Sequence, residues 1–265
     1  MNARSRSQQR LVRPWGPEQP NSGRINAELA TEEPLAIELD GVRVTTTMRT
    51  PGNDFELAVG FCHSEGLLNG HPVLTVKYCE TASALATEFN VVSVSTGGEA
   101  PRPTPRLTAT TSSCGFCGTD EIDQLASSLG PLSGPQFAWE HLAKAPDALL
   151  EQQTLFAKTG AVHAAGVIHR DGSVLTARED VGRHNAVDKI IGRLHFDNQL
   201  PAQGLAIVVS GRASFELVHK AWAAGFRALV SVSAPTALAV ATAKRADMQL
   251  AGFARSGALT IYTSS

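Results

Sequence analysis

Cys114 and Cys117 stand three positions apart in the run Cys114-Gly115-Phe116-Cys117-Gly118. A thiolate is both a nucleophile and a metal ligand, so this spacing admits three chemistries. One is half of a tetrahedral zinc site, which needs two more ligands, and the chain has neither a second Cys-x-x-Cys nor a His-x-His pair. Another is a thioredoxin-like dithiol, which favours a motif placed directly after a strand of a βαβ unit; here a Thr- and Pro-rich stretch precedes it instead. The third is a reactive thiol that handles sulfur. The flanking glycines clear the approach of a partner, and Thr119 or Asp120 can cap a following helix whose N-terminus lowers the thiol pKa. The residues favour this third reading, with no metal site expected. Cys62 and Cys79 fall inside apolar helix and strand patterns and read as small buried hydrophobes.

Other runs suit a bound anion. Glu179-Asp180-Val181-Gly182-Arg183-His184-Asn185 is a dense polar stretch between a predicted strand and a predicted helix. It reads either as an ion-paired turn with a helix cap or as a binding loop, with Arg183 and His184 where a helix N-terminus would meet a ligand. His163 has small neighbours, Ala161, Ala164 and Ala165, that leave room for a molecule, although a lone His also serves as a satisfied structural residue. Ser210-Gly211-Arg212-Ala213-Ser214 and Ser233-Ala234-Pro235-Thr236 each follow an apolar strand and open a helix. Free backbone N–H groups at such junctions bind phosphate, and Arg212 could add a charge-assisted contact. Plain helix caps have the same look, with Ser at the N-cap and Pro at the first helical position.

The elements that must position these runs can be read from pattern. Residues 1–24 are polar and read as a loose tail. Residues 35–39 and 42–49 flank Asp40-Gly41, a hairpin signal, and Asn53 or Asp54 can cap a helix running to about residue 68. Strand-like runs follow near 73–79 and 90–95, then a Gly-, Pro- and Thr-rich loop over 96–113 that delivers the cysteine pair. A helix is predicted over about 138–154, and a second hairpin surrounds Asp171-Gly172. Beyond it a helix over 184–194 carries Val187, Ile190, Ile191 and Leu194 on one face. Strands (205–209, 228–233, 248–253, 258–262) and helices (214–224, 235–246) then alternate, which argues for a helix-covered sheet with some parallel pairing.

The whole chain has 265 residues, 43% hydrophobic and 18% charged, with a formal net charge of -2. That composition excludes a disordered chain, and the length suffices for one large domain or two smaller ones. No apolar run reaches the ~18 residues of a membrane span and no signal-peptide h-region is evident, so a cytoplasmic location without membrane contact is the default expectation. Reduced cysteines follow from that compartment. Residues 160–265 hold 11 basic and 7 acidic side chains, a surplus of +4 inside an acidic protein. This suggests a local anionic ligand rather than a nucleic-acid coat, or simply a solvated Arg-rich surface.

Taken together these runs resemble the FdhD family of formate dehydrogenase accessory sulfurtransferases. The matching stretches are 113–118, 159–165, 178–189, Ser210-Gly211-Arg212 and Gly252-Phe253-Ala254-Arg255, and the likeness covers roughly residues 33–263. It implies a sulfurtransferase that accepts sulfane sulfur from a cysteine desulfurase as a cysteine persulfide. The sulfur passes to the bis-molybdopterin guanine dinucleotide cofactor of molybdenum, required by formate dehydrogenase. Cys114 would carry the persulfide, with Cys117 as a second thiol. The cofactor site would comprise Phe253, Ala254, Arg255, Ser256, Gly257 and Ala258, together with Gly211, Arg212, His163, Arg183 and His184. A cofactor-binding chaperone without sulfur chemistry is the alternative. The implied fold class is α/β (α+β overall): residues 1–30 a flexible polar tail, 31–130 a smaller β-rich domain ending in the Cys-x-x-Cys loop and a short helix, and 131–265 a three-layer α/β/α domain resembling cytidine deaminases. A homodimer is implied. The chain lacks the deaminase His-x-Glu and Pro-Cys-x-x-Cys signature, so zinc-dependent deamination is not expected.

Overall fold

A computed structural model describes residues 5–17, 23–78, 89–102 and 127–264. The segment expected as a loose tail is the first correction. Strands β1 (Ser7–Val12) and β2 (Ile25–Ala30) form an antiparallel ribbon, Ser7 opposite Ala30 and Val12 opposite Ile25. The β1 sequence is polar up to its last two residues, whereas β2 alternates Ile25, Ala27 and Leu29 with Asn26 and Glu28, the pattern of a strand. Long-range contacts hold the ribbon: Thr31 N–H donates to Arg6 O (2.9 Å), and the Arg6 guanidinium lies 3.7 Å from the Glu179 carboxylate.

The next sheet contains β3 (Glu33–Leu39), β4 (Val42–Arg49), β5 (Thr75–Tyr78) and β6 (Val91–Ser95) in the order β4-β3-β6-β5. The predicted hairpin turn is present, with Asp40 and Gly41 both at positive φ (46° and 79°), as a two-residue loop of the twist-matching kind requires. Helix α1 (Asp54–Ser64) covers this sheet through Leu57, Ala58 and Cys62, packed on Leu35, Ile37, Val92 and Val94. Its N-cap, Asn53, makes no side-chain cap bond, and Asp54 instead pairs with the buried Arg49 at 3.0 Å. The helix stops at Ser64, short of the expected residue 68. Gly66 takes φ 70°, and Gly66 and Leu67 N–H groups return to His63 and Cys62 carbonyls, closing a Schellman cap. Cys62 is buried, and that burial, aided by Asp188 and Glu65, pushes its thiol up to about 12. Cys79 lies outside the described residues.

The C-terminal half builds a six-stranded sheet from β7 (His163–Ile168), β8 (Val174–Asp180), β9 (Ala206–Val209), β10 (Ala228–Ser231), β11 (Gln249–Arg255) and β12 (Ala258–Thr263), ordered β12-β11-β10-β9-β7-β8. Strands β9, β10 and β11 run parallel, while β7 and β12 are antiparallel to their neighbours. Helices α4 (Arg183–Phe196), α5 (Phe215–Ala223) and α6 (Ala237–Ala246) cover one face, where Val187, Ile190 and Leu217 meet Val167, Ile207 and Leu229. Helix α2 (Trp139–Gln152) covers the other, with Leu142 and Leu149 on Ala164, Val208 and Val230. Alternate strand residues face opposite layers, so a sheet covered on both sides reads as continuous apolar runs. The architecture is mixed α/β with several sheets, as the sequence pattern implied.

One helix was expected over about 138–154, but the chain breaks at Gln153 and restarts as α3 (Thr154–Thr159). The buried Glu179 carboxylate explains the break by accepting the Leu155 and Phe156 N–H groups at 3.0 and 2.7 Å. Helices α1 and α4 join the two sheets and meet backbone to backbone at two glycines. A Cβ on Gly60 would lie 1.8 Å from Asp188 O, and one on Gly192 would lie 1.8 Å from Glu56 O.

Candidate functional site

The carboxyl ends of β9, β10 and β11 and the start of β7 open into a cavity of about 560 Å³. Ligands bind at this edge of open α/β sheets because loops and helix N-termini converge there with unused backbone donors. Helix α2 supplies Asp147 and Leu150 to the wall, α3 supplies Phe156, and the sheet supplies His163, Ser210 and Arg255.

His163 and Ser210 are locked together by the β7–β9 pairing. Ser210 N–H donates to Ala164 O (3.0 Å), Ala164 N–H donates to Ser210 Oγ (2.9 Å), and that hydroxyl lies 3.5 Å from His163 Nδ1. Gly211 follows directly. A Cβ there would sit 3.4 Å from both His163 Nδ1 and Arg183 Cδ, so the bare glycine fits against the imidazole and the Arg183 side chain. Burial, then the charges of Arg183 and His184, push the His163 pKa below its ordinary value of 6.5. Arg183 Nε, His184 Nε2 and Ser214 Oγ are buried without a hydrogen-bond partner among the described residues. A neutral imidazole beside an under-satisfied Arg183 side chain suits an anionic group.

The sequence-predicted residues divide. His163, Ala254 and Arg255 line the cavity, and Gly211 and Arg183 stand behind its His163 end. Arg212 is exposed, and His184 faces Glu216 at 3.9 Å. Phe253 is half exposed at φ 51° with its N–H held by Ser233 O (3.1 Å). Ser256 and Gly257, at φ 49° and 73°, form the exposed β11–β12 turn, which ends at Ala258. Cys114 and Cys117 lie outside the described residues. No cluster of three or more His, Cys, Asp or Glu suited to a metal ion occurs among the described residues, and none of their helices is long and apolar enough to cross a membrane.

The polar run around Arg183 acts mostly as scaffold. Asp180 pairs with the buried Lys189 (2.7 Å) and accepts Thr50 N–H (3.1 Å), Asn185 donates to Met48 O (2.7 Å), and Asp188 pairs with Lys220 (3.0 Å). Arg178 grips Glu56 with two hydrogen bonds across the α1 seam. Sequence reasoning missed Asp147 and Phe156. Asp147, Leu150 and Gln153 recur at helical spacing, but an ordinary solvated face has the same pattern.

A crystal structure of a formate dehydrogenase accessory protein from Desulfotalea psychrophila superimposes with a TM-score of 0.79 at 21% identity, covering 98% of each chain. The model of the FdhD/NarQ family matches residues 30–265, and the chain belongs to that family. Among curated relatives, Sulfur carrier protein FdhD of Mycobacterium tuberculosis is 43% identical over 246 residues, 89% of each chain. The protein of the same name from Nocardia farcinica is 42% identical over 245 residues, 89% of this chain and 86% of its own.

Proposed function

We propose that this chain is a sulfur carrier for formate dehydrogenase. It takes sulfane sulfur from a cysteine desulfurase as a persulfide on Cys114 and passes it to the bis-molybdopterin guanine dinucleotide cofactor, with Cys117 as a second thiol. The observation that carries this reading is the identity of 42–43%, over nearly nine-tenths of the chain, to relatives named as sulfur carriers. The cavity at the carboxyl edge of the six-stranded sheet supports it as the place where the cofactor, here a substrate, would bind. On this reading the helix-covered sheet is related to the cytidine deaminase arrangement, and the protein works in the cytoplasm as a homodimer. His163, Arg183 and the Gly211 backbone would hold phosphate oxygens, and the residues around Arg255 would border the rest of the molecule. Persulfide transfer follows thiolate attack on sulfur, so the carrier thiol must be ionised and reachable.

Incubation with a cysteine desulfurase and cysteine should add one sulfur atom, about 32 Da, to Cys114, read by mass spectrometry of thiol-labelled peptides. Cys114→Ala should lose the adduct and fail to restore formate dehydrogenase activity. A Cys114→Ala/Cys117→Ala chain that still supports the dehydrogenase fully would replace this reading with that of a cofactor-binding chaperone.

A further inference from the structure

The two ends of the cavity carry different groups. Its cationic and imidazole groups are Arg255 and His163, and its carboxylate is Asp147 on α2. One Asp147 oxygen accepts the Ser256 N–H at 3.4 Å, tying α2 to the β11–β12 turn. The other oxygen makes no hydrogen bond among the described residues and is free to accept from a ligand. A carboxylate in a site that takes a polyphosphate must lie away from the phosphates, because like charges repel. The sheet order supplies that separation: β11, which carries Arg255, is three strands from β7, which carries His163. Three inter-strand spacings are about 14 Å, roughly the reach of an extended nucleoside diphosphate.

We propose that Asp147 determines base specificity, accepting the adjacent N1–H and N2–H donors of guanine at the Arg255 end while the phosphates lie at the His163 end. This rests on the cofactor-binding reading above and adds to it the orientation of the ligand and the residue that selects its base. Guanine presents two donors side by side to a carboxylate. Adenine presents a donor beside a lone pair, which the carboxylate repels, and hypoxanthine keeps the N1–H alone.

The test is calorimetric titration of the full chain with GDP, IDP and ADP. The unaltered chain should bind GDP about tenfold or more tightly than ADP, with IDP between them. Asp147→Asn, whose amide offers one acceptor and one donor, should bring GDP and ADP within about threefold of each other, mainly by weakening GDP. If the unaltered chain binds none of the three, the nucleotide site itself is refuted. If it binds all three equally, or if Asp147→Asn keeps the GDP preference, the site stands and the role of Asp147 is refuted. Should the variant fail to fold, equal binding of GDP, IDP and ADP by the unaltered chain still refutes the proposal.

Discussion

Gly192→Ala should force α1 and α4 apart. The new Cβ would lie 1.8 Å from Glu56 O and 2.5 Å from its carbonyl carbon. These obstacles are backbone atoms, so no side-chain rotation relieves them. A carbon–oxygen contact settles at about 3.3–3.6 Å, so the two helices must separate by roughly 1.5 Å. A gap of about 1 Å already forfeits about half of each dispersion contact across the seam. The same movement strains the Ser64–Asp188 hydrogen bond between α1 and α4 and the Arg178–Glu56 pair between β8 and α1. Overpacking in general costs about 1–3 kcal/mol, and with rigid backbone on both sides we expect about 4 kcal/mol. For a chain of this size that lowers the Tm by roughly 8–16 °C. The assay is urea unfolding followed by circular dichroism, with Gly16→Ala as control. Nothing lies within 4 Å of a Cβ at Gly16, and its alanine variant should stay within about 0.5 kcal/mol. A loss below about 1 kcal/mol for Gly192→Ala would refute the close-seam argument.

The sequence was most legible where geometry is local. Asp40-Gly41 needs only its own positive φ angles to announce a turn, and the alternating apolar strands after Leu205 needed only a helix between them. Partners distant along the chain were not legible. The α2–α3 break depends on Glu179, more than 20 residues away, and the β1–β2 ribbon depends on β1, polar for most of its length, pairing with β2 and on Arg6 reaching the same carboxylate. The charge surplus of the last 106 residues could not locate a site for a related reason. Arg178, Lys189, Arg193, Lys220 and Arg227 are all committed to ion pairs, so a count of cations does not show which of them face a ligand. Spacing shows which residues follow one another, not which carboxylate waits opposite. It therefore could not divide residues 178–189 into scaffold and site, whereas Gly211 does so by fitting against Arg183 and His163.

Lys189→Met should leave Asp180 buried and unpaired in a place where both side chains are almost fully enclosed. Removing one partner of such a pair costs about 3–5 kcal/mol, so a urea midpoint that barely moves would contradict the scaffold role of this pair. Acid should also weaken the fold, before the carboxylates titrate, through its histidines. Burial lowers the pKa of His63, His163 and His195 from 6.5, with Arg183 and His184 adding to the effect at His163. As the pH falls below 6.5 the unfolded chain takes up protons that the folded chain refuses, so stability is lost across that window and the loss stops growing below the folded values. His63 is the best handle, because it and His195 have ring centroids 6.3 Å apart, so protonating one opposes protonating the other. In a series of melting curves from about pH 7 to about pH 5, His63→Gln should therefore show a smaller fall in Tm than the unaltered chain. Parallel profiles would mean that protonation of these buried rings does not drive the acid response.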